Sequence, residues 1–154
     1  LIIFLDPEVD PLKHGWNIIQ SITAIGSGGL TGRGYLMGTQ SHYRYLPEQS
    51  TDFIFSILSE EWGFLGGLFV FFLYSIVFFR FFLSIKRCDD FFGKLIVSGI
   101  LAMFFFHFFV NVGMVMGIMP ITGIPLLFLS YGGSSLWTAM ISVGVVIGIN
   151  LRQL

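Results

Sequence analysis

Three carboxylates, Asp52, Glu60 and Glu61, stand in the stretch YLPEQSTDFIFSILSEEWGFLGG (45–67), at the mouth of an apolar run that reaches Phe79 interrupted only by Tyr74 and Ser75. A carboxylate at such a boundary suits one of two chemistries. It can accept a proton from a hydroxyl in an acid–base reaction at the membrane surface, or it can line a polar pathway through the bilayer. Asp52 follows Ser50 and Thr51, both good N-cap types, which places it in the first turn of a helix. There an anion also complements the helix dipole, so a purely structural reading of Asp52 stays open beside the catalytic one. Glu60 and Glu61 fall roughly 12 to 14 Å further along the helix axis. A charge at bilayer centre costs about 2.5 to 3.5 kcal/mol on insertion scales, so both acids are read as facing a cavity and not lipid. Neighbours on a helix point about 100° apart, so only one of the pair can aim fully into a single cleft.

Other polar side chains are sparse. His107 and Asn111 are spaced i,i+4 and share a helix face, as an interhelical hydrogen-bonding pair or as a proton relay. SYGGSS, with Ser130 and Ser134, and the GxxxG spacing from Gly144 to Gly148 read first as close helix packing. The glycine-rich GSGGLTGRG (26–34) fits neither the dinucleotide fingerprint nor the P-loop. Plain flexibility and a backbone grip on phosphate beside Arg33 both remain as readings of it. No HExxH, nucleophile elbow or metal-ligand spacing occurs. No cofactor is indicated, and a divalent-metal requirement is left open.

The elements that must position these residues follow from composition. Hydrophobic residues make up 55% of the chain and charged ones 11%, far from the quarter that a soluble domain carries. The chain is therefore expected to be an all-α polytopic membrane protein. A net charge of -1 gives no reason to expect nucleic acid, and the lone Cys88 excludes an intrachain disulfide. Apolar length predicts three spans, 52–83, 95–119 and 124–149, with Pro125 in the first turn of the third. Lys86, Arg87 and Lys94 cluster between the first two spans, Arg80 can snorkel to the same side, and Arg152 follows the third. This puts that side and the C-terminus in the cytoplasm and the long segment 6–51 outside. In that segment Trp16, Ile19, Ile22 and Ile25 fall at helical spacing, predicting a short helix in or near the interface. The opening LIIFLDPEVDP reads as the end of a preceding membrane helix. The organisation expected is one partial domain, with 1–51 as helix end and outer loop and 52–154 as a three-helix bundle. On these grounds alone, an enzyme using Asp52 and a transporter using Glu60, Glu61 and His107 are both viable.

The blocks FLDPEVDP, GWNIIQS, AIGSGGLTGRG, LPEQSTDFIF, LSEEWGFLGG, NVGMVMGIMPITGIP and LSYGGSS occur in this order along nearly the whole chain. Together they resemble the SEDS family of shape, elongation, division and sporulation proteins, which includes RodA, FtsW and SpoVE. MGTQS and the wording of the 113–135 block lean toward the RodA branch. The resemblance implies a glycosyltransferase of about ten membrane helices, of which this chain matches the last three and the outer loop before them. It would polymerise lipid II for peptidoglycan, in elongation and rod shape, beside a class B penicillin-binding protein in the bacterial cytoplasmic membrane. It also implies that the acid of TDF, here Asp52, is the essential catalytic residue. Two departures are visible: Ser50 stands in EQSTDF where family members often have His, and Arg33 stands where Lys is common. Arg33 and Arg44 are the candidates for holding pyrophosphate, with Gln20, Glu48 and Thr51 as further substrate contacts. A lipid II flippase is the alternative function.

Overall fold

The computed structural model describes residues 14–34, 37 and 51–152, and all regular structure among them is helical. The elements are α1 (His14–Gly28), α2 (Ile54–Arg87), α3 (Phe91–Val115) and α4 (Gly133–Leu151). The last three are each long and apolar enough to cross a membrane.

The helix α1 forms where it is expected, but its packed face is not the apolar stripe. Ile18, Ser21, Ala24 and Gly28 turn inward, whereas of the stripe Trp16, Ile19 and Ile22 stay exposed and Ile25, half-buried, packs against the core. Small residues on the inner face allow a close approach to α2 and α3. The Ser21 hydroxyl donates to the Val115 carbonyl at 2.7 Å and lies 2.8 Å from the Ser56 hydroxyl. The exposed stripe has the amphipathic character of a helix at a lipid interface.

The long helix α2 is two limbs and not one rod. Gly63 has φ 67° and ψ −161°, so the helical ladder is broken between Ile54–Trp62 and the longer limb that follows. The second limb runs to Arg87, four residues beyond the expected end, because Lys86 and Arg87 continue the helix and complement its C-terminal dipole. The turn to α3 is only Cys88 to Asp90. The Asp90 carboxylate caps α3 by accepting from the Gly93 N–H at 3.1 Å.

The largest departure is in the third crossing. The sequence predicts helix from Ile124, but α4 begins at Gly133, and residues 118–132 form no helix. This segment enters the bundle. Leu126 packs with Phe53, Phe55, Phe108 and Val112, while Leu127 packs with Phe81, Phe104 and Ala139. Phe104 lies near the middle of α3, so irregular backbone reaches the interior of a membrane bundle. That arrangement is tolerated only when protein satisfies the freed polar groups, and side chains from two helices do so. Tyr74 of α2 donates its hydroxyl to the Leu127 carbonyl. From α3, His107 Nδ1 lies 3.2 Å from the Pro125 carbonyl and Asn111 Nδ2 lies 2.8 Å from that of Ile124. A carbonyl only accepts, so the His107 proton on this bond sits on Nδ1.

Candidate active site

Asp52 does not lie in the first turn of α2. It sits in the turn just before it, and the N-cap is Phe53, whose side chain cannot cap. The chain is held there by side chains from elsewhere in the fold. Ser130 donates its hydroxyl to the Thr51 carbonyl at 2.6 Å, and Asn111 Nδ2 donates to the Asp52 carbonyl at 2.9 Å. Phe53, 2% exposed, anchors the turn in the core. Ser130 also accepts from the Leu126 N–H at 2.7 Å, and so joins the turn to the irregular segment.

The Asp52 side chain, half-buried, is directed at the same segment. A Cβ built on Gly123 would stand 3.4 Å from Asp52 Oδ2. Gly123 has φ +65°, so glycine here both admits the left-handed backbone and leaves space beside the carboxylate. Asp52, Thr51, Asn111, Ser130 and Gly123 therefore form one constellation, drawn from the α2 approach, α3 and the segment before α4. Sequence reading put Thr51 among substrate contacts, paired Asn111 with His107 and took Ser130 as helix packing, without joining any of them to Asp52. It missed Gly123, whose signal is the tight run Pro120, Gly123, Pro125 inside an apolar stretch.

Glu60 and Glu61 belong to a second place, the break at Gly63. They end the short first limb and do not lie deep within a continuous helix. Their carbonyls, released by the break, accept from the N–H groups of Arg33 and Gly34 at 3.0 and 3.1 Å. In return Phe64 and Leu65 donate to Gly29 and Leu30 at 2.9 and 3.2 Å. The glycine loop is thus a plug for a broken helix, and its Arg33 and Gly34 N–H groups are engaged in holding it. Glu60 is fully buried and Glu61 half-buried, in keeping with neighbours on a helix diverging. The Arg33 side chain is exposed, with Nε donating to the Ser27 carbonyl at 3.2 Å. Gln20 is half-buried on α1, and Ser134 is exposed at the start of α4. His107 serves the Pro125 carbonyl. Arg44 and Glu48 lie outside the described residues.

A bundle of membrane-crossing helices with irregular backbone in its interior, and a carboxylate fixed at one end of it, defines a polytopic membrane protein with a built polar site. The chain belongs to the FtsW/RodA/SpoVE family of cell cycle proteins, whose sequence profile matches residues 1–153. It is 71% identical over 154 residues to the peptidoglycan glycosyltransferase RodA of Treponema pallidum, covering all of this chain and 36% of that protein. It is 47% identical over 153 residues to the peptidoglycan glycosyltransferase MrdB of Escherichia coli K12, covering 99% of this chain and 41% of that one. Among solved structures, it resembles a chain described under structural coordination of polymerization and crosslinking by a peptidoglycan synthase complex. That match has a TM-score of 0.81 and 32% identity, over 99% of this chain and 40% of the other. The chain thus spans about two fifths of the length of the relatives it matches.

Proposed function

We propose that the protein carrying this chain is a RodA-like peptidoglycan glycosyltransferase that polymerises lipid II at the outer face of the cytoplasmic membrane, with Asp52 as the general base. The observation that carries the assignment of Asp52 is its setting: a half-buried carboxylate on a clamped turn, with open space kept beside it by Gly123. The names of the relatives support the reaction class and do not favour the flippase reading.

In the reaction, a sugar hydroxyl of the acceptor attacks the anomeric carbon of the donor. The new glycosidic C–O bond forms as the bond to pyrophosphate breaks, and the polyprenyl pyrophosphate leaves with the electron pair. The hydroxyl proton passes to the Asp52 carboxylate. Lipid II presents its sugars just outside the hydrocarbon, which requires Asp52 on the outer side. The basic cluster Lys86, Arg87 and Lys94, at the other end of α2, then faces the cytoplasm, and the C-terminus joins it. Arg33 and Arg44 remain the candidates for the pyrophosphate, with Gln20, Glu48 and Thr51 as further contacts. A class B penicillin-binding protein is the expected partner for crosslinking.

The test is Asp52→Asn in the full-length protein, assayed for glycan from lipid II in detergent, where a flippase has no bilayer to act across. Asparagine keeps the shape and cannot take the proton, so polymerisation is expected to vanish while membrane insertion is normal. Glycan made at the ordinary rate by that variant would sink the assignment.

A further inference from the structure

We infer that Asn111 and Ser130 are positioning residues for the Asp52 carboxylate, acting through backbone and not through contact with substrate. The inference rests on the reading of Asp52 as the base. Its ground is which carbonyls the two side chains hold. The Thr51 carbonyl belongs to the peptide plane before the Asp52 Cα, and the Asp52 carbonyl to the plane after it. Peptide units are planar, so a residue's backbone has only the two dihedrals that relate these planes. Ser130 fixes the first plane at 2.6 Å and Asn111 the second at 2.9 Å. Together they set φ and ψ of Asp52 and hence the direction of its Cα–Cβ bond.

The same two residues key the carboxylate to what stands opposite it. The Asn111 amide nitrogen bridges the Asp52 carbonyl and the Ile124 carbonyl, at 2.9 and 2.8 Å. Ser130 bridges the Thr51 carbonyl and the Leu126 N–H. Gly123, beside Asp52 Oδ2, is therefore held in register with the carboxylate by bonds that cross 59 and 79 residues of chain. Asn111 is fully buried, and its Oδ1 has no hydrogen-bond partner among the described residues. Leaving a buried acceptor unmatched is costly. The amide is oriented by its donors, both of which serve carbonyls at this site.

A residue that only satisfied buried carbonyls would affect folding. One that aims a base affects turnover of bound substrate, and misplacement by about 1 Å costs on the order of a hundredfold in rate. Ser130→Ala, Ser130→Thr, Asn111→Asp and Asp52→Asn are to be compared in the purified full-length protein, with lipid II polymerisation rate and thermal midpoint measured for each. Ser130→Ala and Asn111→Asp, which delete the donors, are expected to lower kcat about tenfold to a hundredfold with KM within about twofold of the parent. Ser130→Thr retains the hydroxyl and is expected to restore kcat. A loss carried by KM, or one that tracks the folded fraction, would overturn the assignment. Should Asn111→Asp fail to accumulate, Ser130→Ala, which removes a single oxygen, decides. If Asp52→Asn is inactive while Ser130→Ala turns over at full kcat, positioning by the clamp is wrong and the base assignment stands. Normal polymerisation by Asp52→Asn would remove both.

Discussion

At Gly123 a missing side chain shapes the chemistry. Alanine there would take a left-handed backbone conformation, which costs about 1 to 2 kcal/mol for a residue with a Cβ, and would set a methyl group 3.4 Å from Asp52 Oδ2. Gly123→Ala is expected to lower both the thermal midpoint and the polymerisation rate of the full-length protein. Gly133→Ala is the control, since a Cβ at that position meets nothing within 4 Å. Equal rates for the two variants would show that space beside the carboxylate is not used. Asp52 itself was legible in the sequence, as an acid at the change from polar to apolar composition. Its exact setting was not, because Ser50 and Thr51 advertise a helix start there, whereas the N-cap is Phe53, one residue after Asp52. What overrides local capping is a pair of side chains from positions 111 and 130, and nothing in residues 50–54 announces them. His107 and Asn111 were correctly placed on one face. Their partners are backbone carbonyls, Pro125 for His107 and both Ile124 and Asp52 for Asn111, and not side chains of another helix.

Among the elements, two breaks in helix define the architecture, and both trace to glycine or proline. At Gly63 the broken ladder leaves carbonyls and N–H groups that the glycine loop 28–34 takes up in pairs. The fit is close: a Cβ on Gly63 would overlap the backbone of Leu30 and Gly32, and one on Gly28 would overlap that of Ser59. Gly63→Ala is therefore expected to destabilise the full-length protein by more than the ~1 to 3 kcal/mol that a Gly-only backbone conformation costs a residue with a Cβ, read as a large drop in thermal midpoint. Gly26→Ala, in the last turn of α1 with open space around it, should be neutral to slightly stabilising; a Gly63→Ala midpoint equal to the Gly26→Ala one would refute the plug. The second break is the segment before α4. Removing the Tyr74 hydroxyl by Tyr74→Phe leaves the buried Leu127 carbonyl unmatched, at a cost of about 1 to 3 kcal/mol. The thermal midpoint should fall accordingly, and an unchanged midpoint would show that the hydroxyl is not needed there. Sequence reading extended a helix through IPLLFLSYGG because an apolar run of that length satisfies the rule for a span. Hydropathy measures burial and not conformation, so a buried irregular segment and a helix give the same signal. Pro120, Gly123 and Pro125 within six residues were the cue that should have prevailed.

Across the whole molecule, burial is strongly uneven. The apolar windows of α2, α3 and α4 are only 22%, 28% and 11% buried within this chain. Trp62, Phe64, Phe69, Phe72, Trp137 and Ile141 are all more than half exposed. Apolar surface on this scale belongs against lipid or further helices, which accords with a chain spanning about two fifths of its relatives' length. That much followed from composition, since 55% apolar content fixes the solvent, whereas the depth and course of each segment did not. The described residues bring Asp52, its clamp and Gly123 together. A prenyl-linked donor and a growing glycan both require walls around the carboxylate, and further helices packed on the exposed apolar faces are expected to build them. The 154 residues expressed alone are therefore expected to insert as three crossings, to be poorly stable, and to make no polymer. Helices that insert separately can associate afterwards. Co-expression of the preceding part of the full-length protein as a second chain should then restore activity. The measurement is lipid II polymerisation by the purified 154-residue chain and by the reassembled pair. The full-length Asp52→Asn variant serves as the blank. Robust glycan from the short chain alone would mean that donor and acceptor are both held within these 154 residues, and that the preceding part supplies none of the walls of the site.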